Sequence, residues 1–262
     1  MNSELKIGVA MTALLLLLLL GSIFFTSQSN SVNPELRFLK PGFSHPLGTD
    51  NFGRDIFLRI IDGSKHTIIL AFCTVAAAAI IGSIFGLFAA YYGGICDEII
   101  MRLMDTISSF PGILFALVMI TLMENSQVTL FIALAVLFIP GFSRVIRSGA
   151  LQYKNADFIL AEKLLGAGSA RIAFIHILPN LMPPLLSAAV LGLSNAILAE
   201  AAMSYLGLGI QPPLPSWGRM LSESQIFLFN APWCALAPGI SIMFTVIAFH
   251  CLGDGLRRRF GN

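Results

Sequence analysis

Charge is what this chain has least of. Only 11% of its 262 residues are Asp, Glu, Lys or Arg, against roughly 25% in a soluble globular domain. Hydrophobic residues make up 56%, and the mean hydropathy is +0.82. That balance excludes an ordinary soluble domain and puts the chain in the membrane class. A net charge of +2 is too small to imply a nucleic-acid partner. Cysteine is sparse as well. Cys73, Cys96, Cys234 and Cys251 stand in or beside apolar segments without C-x-x-C spacing. They read as buried small hydrophobes, not as disulfides or metal ligands. The motifs of catalysis are missing. No G-x-x-x-x-G-K-[ST] phosphate loop occurs, and "DGSKHT" at 62–67 lacks the first glycine and the spacing. H-E-x-x-H, G-x-S-x-G and zinc-ligand clusters are absent too. No enzyme centre, resident cofactor or metal site is expected.

What the chain does have is long apolar runs. A spanning helix needs about 20 largely apolar residues, and six segments qualify, near 7–25, 67–91, 99–122, 127–145, 182–206 and 232–253. The first follows Lys6 as a signal peptide would. Its run is longer than an h-region and no A-x-A site follows, so an uncleaved helix is expected. With both termini cytoplasmic, ten Lys and Arg residues fall inside and six outside, and "LRRRF" directly follows the last span. The positive-inside rule favours that orientation.

Small residues recur at helical spacing, as Gly82, Gly86 and Ala90 and as Ala188, Gly192 and Ala196. Such stripes let backbones approach closely in lipid. Packing within one bundle is the simpler reading, and packing against a second subunit the sharper one. Glu200 continues the second stripe, with Ser204 four residues on. A charged residue inside a span is costly and faces protein or water. Asn195, Glu200 and Ser204 are therefore the candidates for an aqueous path or a helix interface. Outside the spans, "HPLGTDNFGRDIF" reads as tight turns and an Asp or Asn cap. Its acidic spacing is not that of a calcium loop. Trp217 and Trp233, between the last two spans, would suit an interfacial belt.

One polar island interrupts the apolar sequence: "DFILAEKLLGAGSARIAFIHILPN", residues 157–180. Phe158–Leu165 is expected to form a short helix capped by Asp157. Gly166 and Gly168 would allow a sharp turn after it.

These residues resemble the EAA loop of ABC-importer permeases, whose pattern is E-A-A, three residues, Gly, nine residues, I-x-L-P. Ala161, Gly166, Leu178 and Pro179 fit at the right spacing. "HPLGTDNFGRDIF", "YYGG", "MRLMD", "SYLGLGIQPPLPSWGRML" and "LGDGLRRR" narrow the match. Together they look like the C-type permease subunit of the dipeptide, oligopeptide and nickel importers, from about His45 to Arg259. Three positions depart from the pattern. Leu160 stands where the first glutamate belongs, with the acid displaced to Glu162, and His176 replaces the isoleucine, a change that fits the peptide and nickel branch.

The resemblance implies an all-α, six-span type I permease in two parts. Residues 1–66 would hold the first helix and an extracytoplasmic loop. Residues 67–262 would form the transmembrane core, with the EAA-like loop near 146–180. It implies a coupling helix in that loop, docked on an ATPase by Leu160, Ala161, Glu162, Leu164, Leu165, Gly166, Ala167, Gly168, Leu178 and Pro179. Leu160, Leu164 and Leu165 would be the apolar anchors of a helix laid in a groove. ATP would be bound by two separate ABC ATPase subunits. The other implied partners are a second homologous permease, an extracytoplasmic substrate-binding protein and the lipid of the cytoplasmic membrane. The expected cargo is di- or oligopeptides, with nickel or a metal chelate as the alternative. An ion-coupled transporter would need paired ionisable residues at mid-membrane, and an intramembrane enzyme a paired nucleophile and base. Only Glu200 approaches the first, and nothing approaches the second.

Overall fold

The computed structural model describes residues 3–260, with backbone alone at 3, 23–28 and 260. The far ends of the two expected parts, at 1–2 and 261–262, lie outside the described residues. Among the described residues the regular structure is helical, apart from one isolated antiparallel bridge between Thr49 and Asp55. The helices are α1 (Ser3–Ser29), α2 (Ile56–Tyr92), α3 (Gly94–Ser109), α4 (Gly112–Leu122) and α5 (Gln127–Tyr153). They continue with α6 (Asp157–Leu164), the single turn α7 (Ser169–Arg171), α8 (Met182–Tyr205), α9 (Trp217–Ser224) and α10 (Trp233–Phe260). Between α7 and α8 the chain stays helical, as a π-helical stretch at Ile172–Ile177 and a 3-10 stretch at Leu178–Leu181.

Among the described residues five helical units are long and apolar enough to cross a membrane. They are Glu4–Ser22, Ile56–Tyr92, Gln127–Tyr153, Ser169–Tyr205 and Trp233–Arg259. The sixth expected span is a bent pair, α3 and α4, meeting at 88°. The break has a local cause. Pro111 lacks an N–H and drives the preceding residue out of the helical region, and Phe110 is extended at φ −82°, ψ 134°.

The bundle is built on α2 and α5. At the closest approach of the two helices α2 carries glycine. A Cβ added at Gly82 would fall 2.7 Å from Phe142 Cβ, and one at Gly86 would fall 2.5 Å from the Ser143 carbonyl. The stripe that contains them therefore packs within this chain. α1 closes on α10 in the same way, since a Cβ at Gly255 would meet Leu5 Cα at 2.8 Å. α8 packs against α10 and α2. At Gly192 the fit is looser, with Phe142 Cζ at 3.3 Å.

The expected second span began at 67, yet the helix starts at Ile56, so the division at 66/67 falls within α2. Hydropathy marked 56–66 as loop because of Arg59, Asp62 and Lys65. In the fold Arg59 and Asp62 are buried and partnered. Ser29 Oγ donates to Asp62 Oδ2 (2.7 Å), and Arg59 lies between Asp50 and Glu223. Asp55 caps the long helix itself, accepting from the Leu58 N–H (3.2 Å). Just before it Asp50 is the hub of the turn. It accepts from the N–H groups of Phe52 and Arg54 and from Arg54 Nε at 2.6 Å. Two further expectations change. Trp217 is fully buried and donates through Nε1 to the Ile60 carbonyl (3.0 Å), so it is no interfacial residue. Of the cysteines only Cys234 is buried, while Cys73 lies exposed on α2 and the other two are half-buried.

Substituting Gly86 by Leu should destabilise the isolated chain by about 1–3 kcal/mol through overpacking. It would be read as a lower unfolding temperature in detergent. Gly141→Leu, where a side chain meets nothing within 4 Å, should leave that temperature unchanged. Equal stability of the two variants would contradict the α2–α5 contact.

Candidate functional site

The island from 154 to 181 sits at one end of the bundle, beside the ends of α2 and α5. The preceding chain is fastened first. Lys154 Nζ donates to the Ala90 carbonyl (2.9 Å), and Arg147 grips Asp97 with two hydrogen bonds of 2.5 and 2.6 Å. A planar guanidinium fits a carboxylate in this two-pronged way. α6 then starts at Asp157, with extended Ala156 as the N-cap residue and no side-chain cap. The expected Asp157 cap is therefore not formed. Asp157 occupies the first turn instead, where a negative charge meets the positive end of the helix dipole.

The end of α6 has a defined stop. Ala167 N–H donates to the Glu162 carbonyl and Gly166 N–H to the Lys163 carbonyl, both at 3.0 Å. This is a Schellman motif, and it requires the left-handed φ of +83° found at Gly166. Gly168 does not share the role, since its φ is −68°.

α6 has two faces. Ile159 is fully buried in a cluster made by Leu87 and Ala90 of α2, Ile146 and Ala150 of α5, and Ile172, Ile177 and Leu181. The opposite face is bare. Leu164 is 89% exposed and Leu165 83%, with Leu160 and Ala161 exposed beside them. Gly166 and Gly168 are exposed, Ala167 and Leu178 half-buried, and Pro179 exposed. The expected site residues thus share one end of the bundle, and the leucines lie where a partner could cover them. Leaving such side chains in water is unfavourable by about 1.5–3 kcal/mol each relative to burial.

From Ser169 the chain climbs without a break into α8, so α7, the π stretch and the 3-10 stretch form a ramp. Pro179 removes one helical donor, and Asn180 Nδ2 donates to the His176 carbonyl (2.7 Å). Glu162 reaches this ramp, its Oε2 lying 3.6 Å from His176 Nε2.

At the far end of α8 Glu200 and Ser204 are fully buried. Ser204 Oγ donates to Glu200 Oε1 (2.6 Å) and accepts from the Ile210 N–H (3.1 Å). The hydroxyls of Thr67 and Ser216 also stand beside the carboxyl group. Trp217 N–H donates to Thr67 Oγ1 at 3.4 Å, and a Cβ at Gly218 would overlap the Ala201 backbone. The knot fastens α8, α2 and the start of α9 together, which is the helix-interface arrangement. Asn195 is not part of it. It lies exposed on α8.

Sequence reasoning passed over Ile159, Ile172 and Ile177, the buried side of the island. Their signal was present as spacing. Ile159 and Glu162 are three apart, on one face of a helix, while Leu160 and Leu164 are four apart on another.

The fold is one already seen in a solved structure. It superimposes on the structure titled "Inward facing conformations of the MetNI methionine ABC transporter: CY5 native crystal form" with a TM-score of 0.63 at 19% identity, over 77% of this chain and 95% of that one. Helices, spans and that likeness define a multi-pass membrane protein with the type I permease fold. Residues 82–262 match the family described as "Binding-protein-dependent transport system inner membrane component". The chain is 41% identical over 249 residues to the dipeptide transport system permease protein DppC of Alkalihalophilus pseudofirmus, covering 95% of this chain and 82% of that one. It is 37% identical over 256 residues to the glutathione transport system permease protein GsiD of Pectobacterium atrosepticum, covering 95% and 85%. The chain belongs to this family of inner-membrane components: it is a permease subunit of a binding-protein-dependent ABC importer.

Replacing Ser204 by Ala strips one partner each from Glu200 and the Ile210 N–H. It should cost about 1–3 kcal/mol, the penalty for buried groups left unsatisfied. A lowered unfolding temperature in detergent checks this, and wild-type stability would contradict the knot.

Proposed function

We propose that the exposed face of α6 is the coupling surface, on which a separate ABC ATPase subunit docks, and that the importer carries di- or oligopeptides. The observation that carries the first part is the division of α6 into a buried Ile159 and the bare leucines Leu160, Leu164 and Leu165. A helix held on one side by its own bundle and apolar on the other is built to lie in a groove of another protein. The family supports the partner, because a binding-protein-dependent importer works with an ATPase and a binding protein. ATP then belongs to the ATPase subunits, and this chain takes no part in its hydrolysis.

Coupling requires that nucleotide favour one arrangement of the permease over another. Closure of an ATPase pair would move α6, and α6 is joined through the ramp to α8. A second, homologous permease would complete the path, with exposed Asn195 facing that path or the partner. The α6 end would be cytoplasmic, with both termini on the same side and the Asp50 turn, α9 and the binding protein across the membrane. Peptide cargo is supported by the relatives' names, which include dipeptide, di/tripeptide, glutathione and D,D-dipeptide systems.

Leu164→Glu tests the docking surface in the assembled importer. The variant should insert normally but lose ATPase subunits on co-purification, and uptake of alanyl-alanine should fall at least about tenfold, since losing one hot-spot contact exceeds 1.4 kcal/mol. Full co-purification with wild-type uptake would refute the reading.

A further inference from the structure

Glu162 and His176 are, with Leu160, the residues at which this stretch departs from the pattern it otherwise follows, and the fold sets these two opposite each other. Their nearest atoms are 3.6 Å apart. His176 Nε2 is shielded from solvent and makes no hydrogen bond. Glu162 is the acidic group within ion-pair reach of it among the described residues. The other charged groups of these elements point elsewhere. Lys163 Nζ lies 3.5 Å from the Lys154 carbonyl, and Asp157 and Arg171 are exposed.

The connection between α6 and the ramp makes this pair matter. The backbone link is the turn through Gly166 and Gly168, where an added Cβ would meet nothing within 4 Å. An unpacked glycine turn bends easily, so it transmits little. Against the ramp α6 is held at two points of one face, Ile159 against Ile172 and Ile177, and Glu162 against His176, while Phe158 against Tyr153 and Lys163 at the Lys154 carbonyl hold it to the end of α5. An apolar contact resists separation but permits sliding and rotation, because the hydrophobic effect is non-directional. A directional polar contact one turn further along α6 opposes that rotation.

We propose that Glu162 and His176 form a tie that locks α6 to the ramp, so that displacement of α6 is delivered to α8 instead of being absorbed at the Gly166 turn. Both are positioning residues, acting through α8 and not on nucleotide or cargo. The inference rests on α6 being the docking surface for the ATPase.

The test uses the assembled permease–ATPase complex in lipid nanodiscs, with native cysteines replaced and an environment-sensitive fluorophore on Leu206→Cys, exposed just beyond α8. ATP should change the fluorescence of the parent complex. In E162Q and in H176Q the amplitude should fall about two- to fivefold, the scale of a partly exposed ion pair. In H176Q, a residue outside the docking set, ATPase subunits should stay bound and hydrolysis continue. E162D, which draws the carboxylate back, should fall between, and it keeps the test open if H176Q does not insert. The exchanged pair E162H/H176E should recover most of the amplitude. Full amplitude in E162Q or in H176Q, or loss of ATPase subunits from H176Q, would overturn the tie. Failure of the docking reading would show separately, as ATPase retained by L164E.

Discussion

The close approach of α2 and α5 is the constraint on which the rest depends. Lipid offers no hydrophobic drive between helices, so they associate by packing and by hydrogen bonds between them. Gly82 and Gly86 supply the packing by letting the α5 backbone sit against α2. Each end of that pair then holds one functional region. At one end Leu87, Ala90, Ile146 and Ala150 make the socket for Ile159. At the other, Thr67 and Ile60 of α2 take up the Trp217 backbone and indole.

Polar groups are managed by the same economy. Within an apolar medium a buried donor or acceptor must find a partner in the protein. Glu200 finds Ser204, Arg59 lies between two acids, and Asp62 takes a hydroxyl from Ser29. These residues bind helices together at the end away from α6. At the α6 end the ion pairs are more open: Arg144 with Asp105 at 2.9 Å, and Arg147 with Asp97, keep α3 on α5. One end is thus tied by buried bonds and the other by pairs that water reaches. Motion driven from α6 would begin where the ties are weakest.

Much of this was legible in the residues. Apolar runs located every span, and the Gly166 position of the island matched the left-handed turn found there. The bare leucines of α6 were picked out by kind and place. The misses share a cause. Hydropathy treats every charge as a request for water, so Arg59 and Asp62 hid the first turns of α2, although both find partners inside the protein. Trp217 looked interfacial because its indole partner, Ile60, is 157 positions away. Asp157 looked like a cap, but Ala156 already holds the extended conformation at that boundary. The pairing of Glu162 with His176 joins two elements across a turn, and no helical period reports it. The bend at Phe110–Pro111 was written in the sequence and read as continuous span.

The central claim is that α6, the ramp and α8 move as one body. The direct measurement is the distance between spin labels on Asp157→Cys, exposed at the start of α6, and Leu206→Cys, in the assembled complex without nucleotide and trapped with ATP. The account predicts one distance distribution, unchanged by ATP, while labels on Leu206 and on the partner permease change their separation. An Asp157–Leu206 distance that shifts on ATP binding would contradict it, because the Gly166 turn would then be absorbing the motion that α8 is meant to receive.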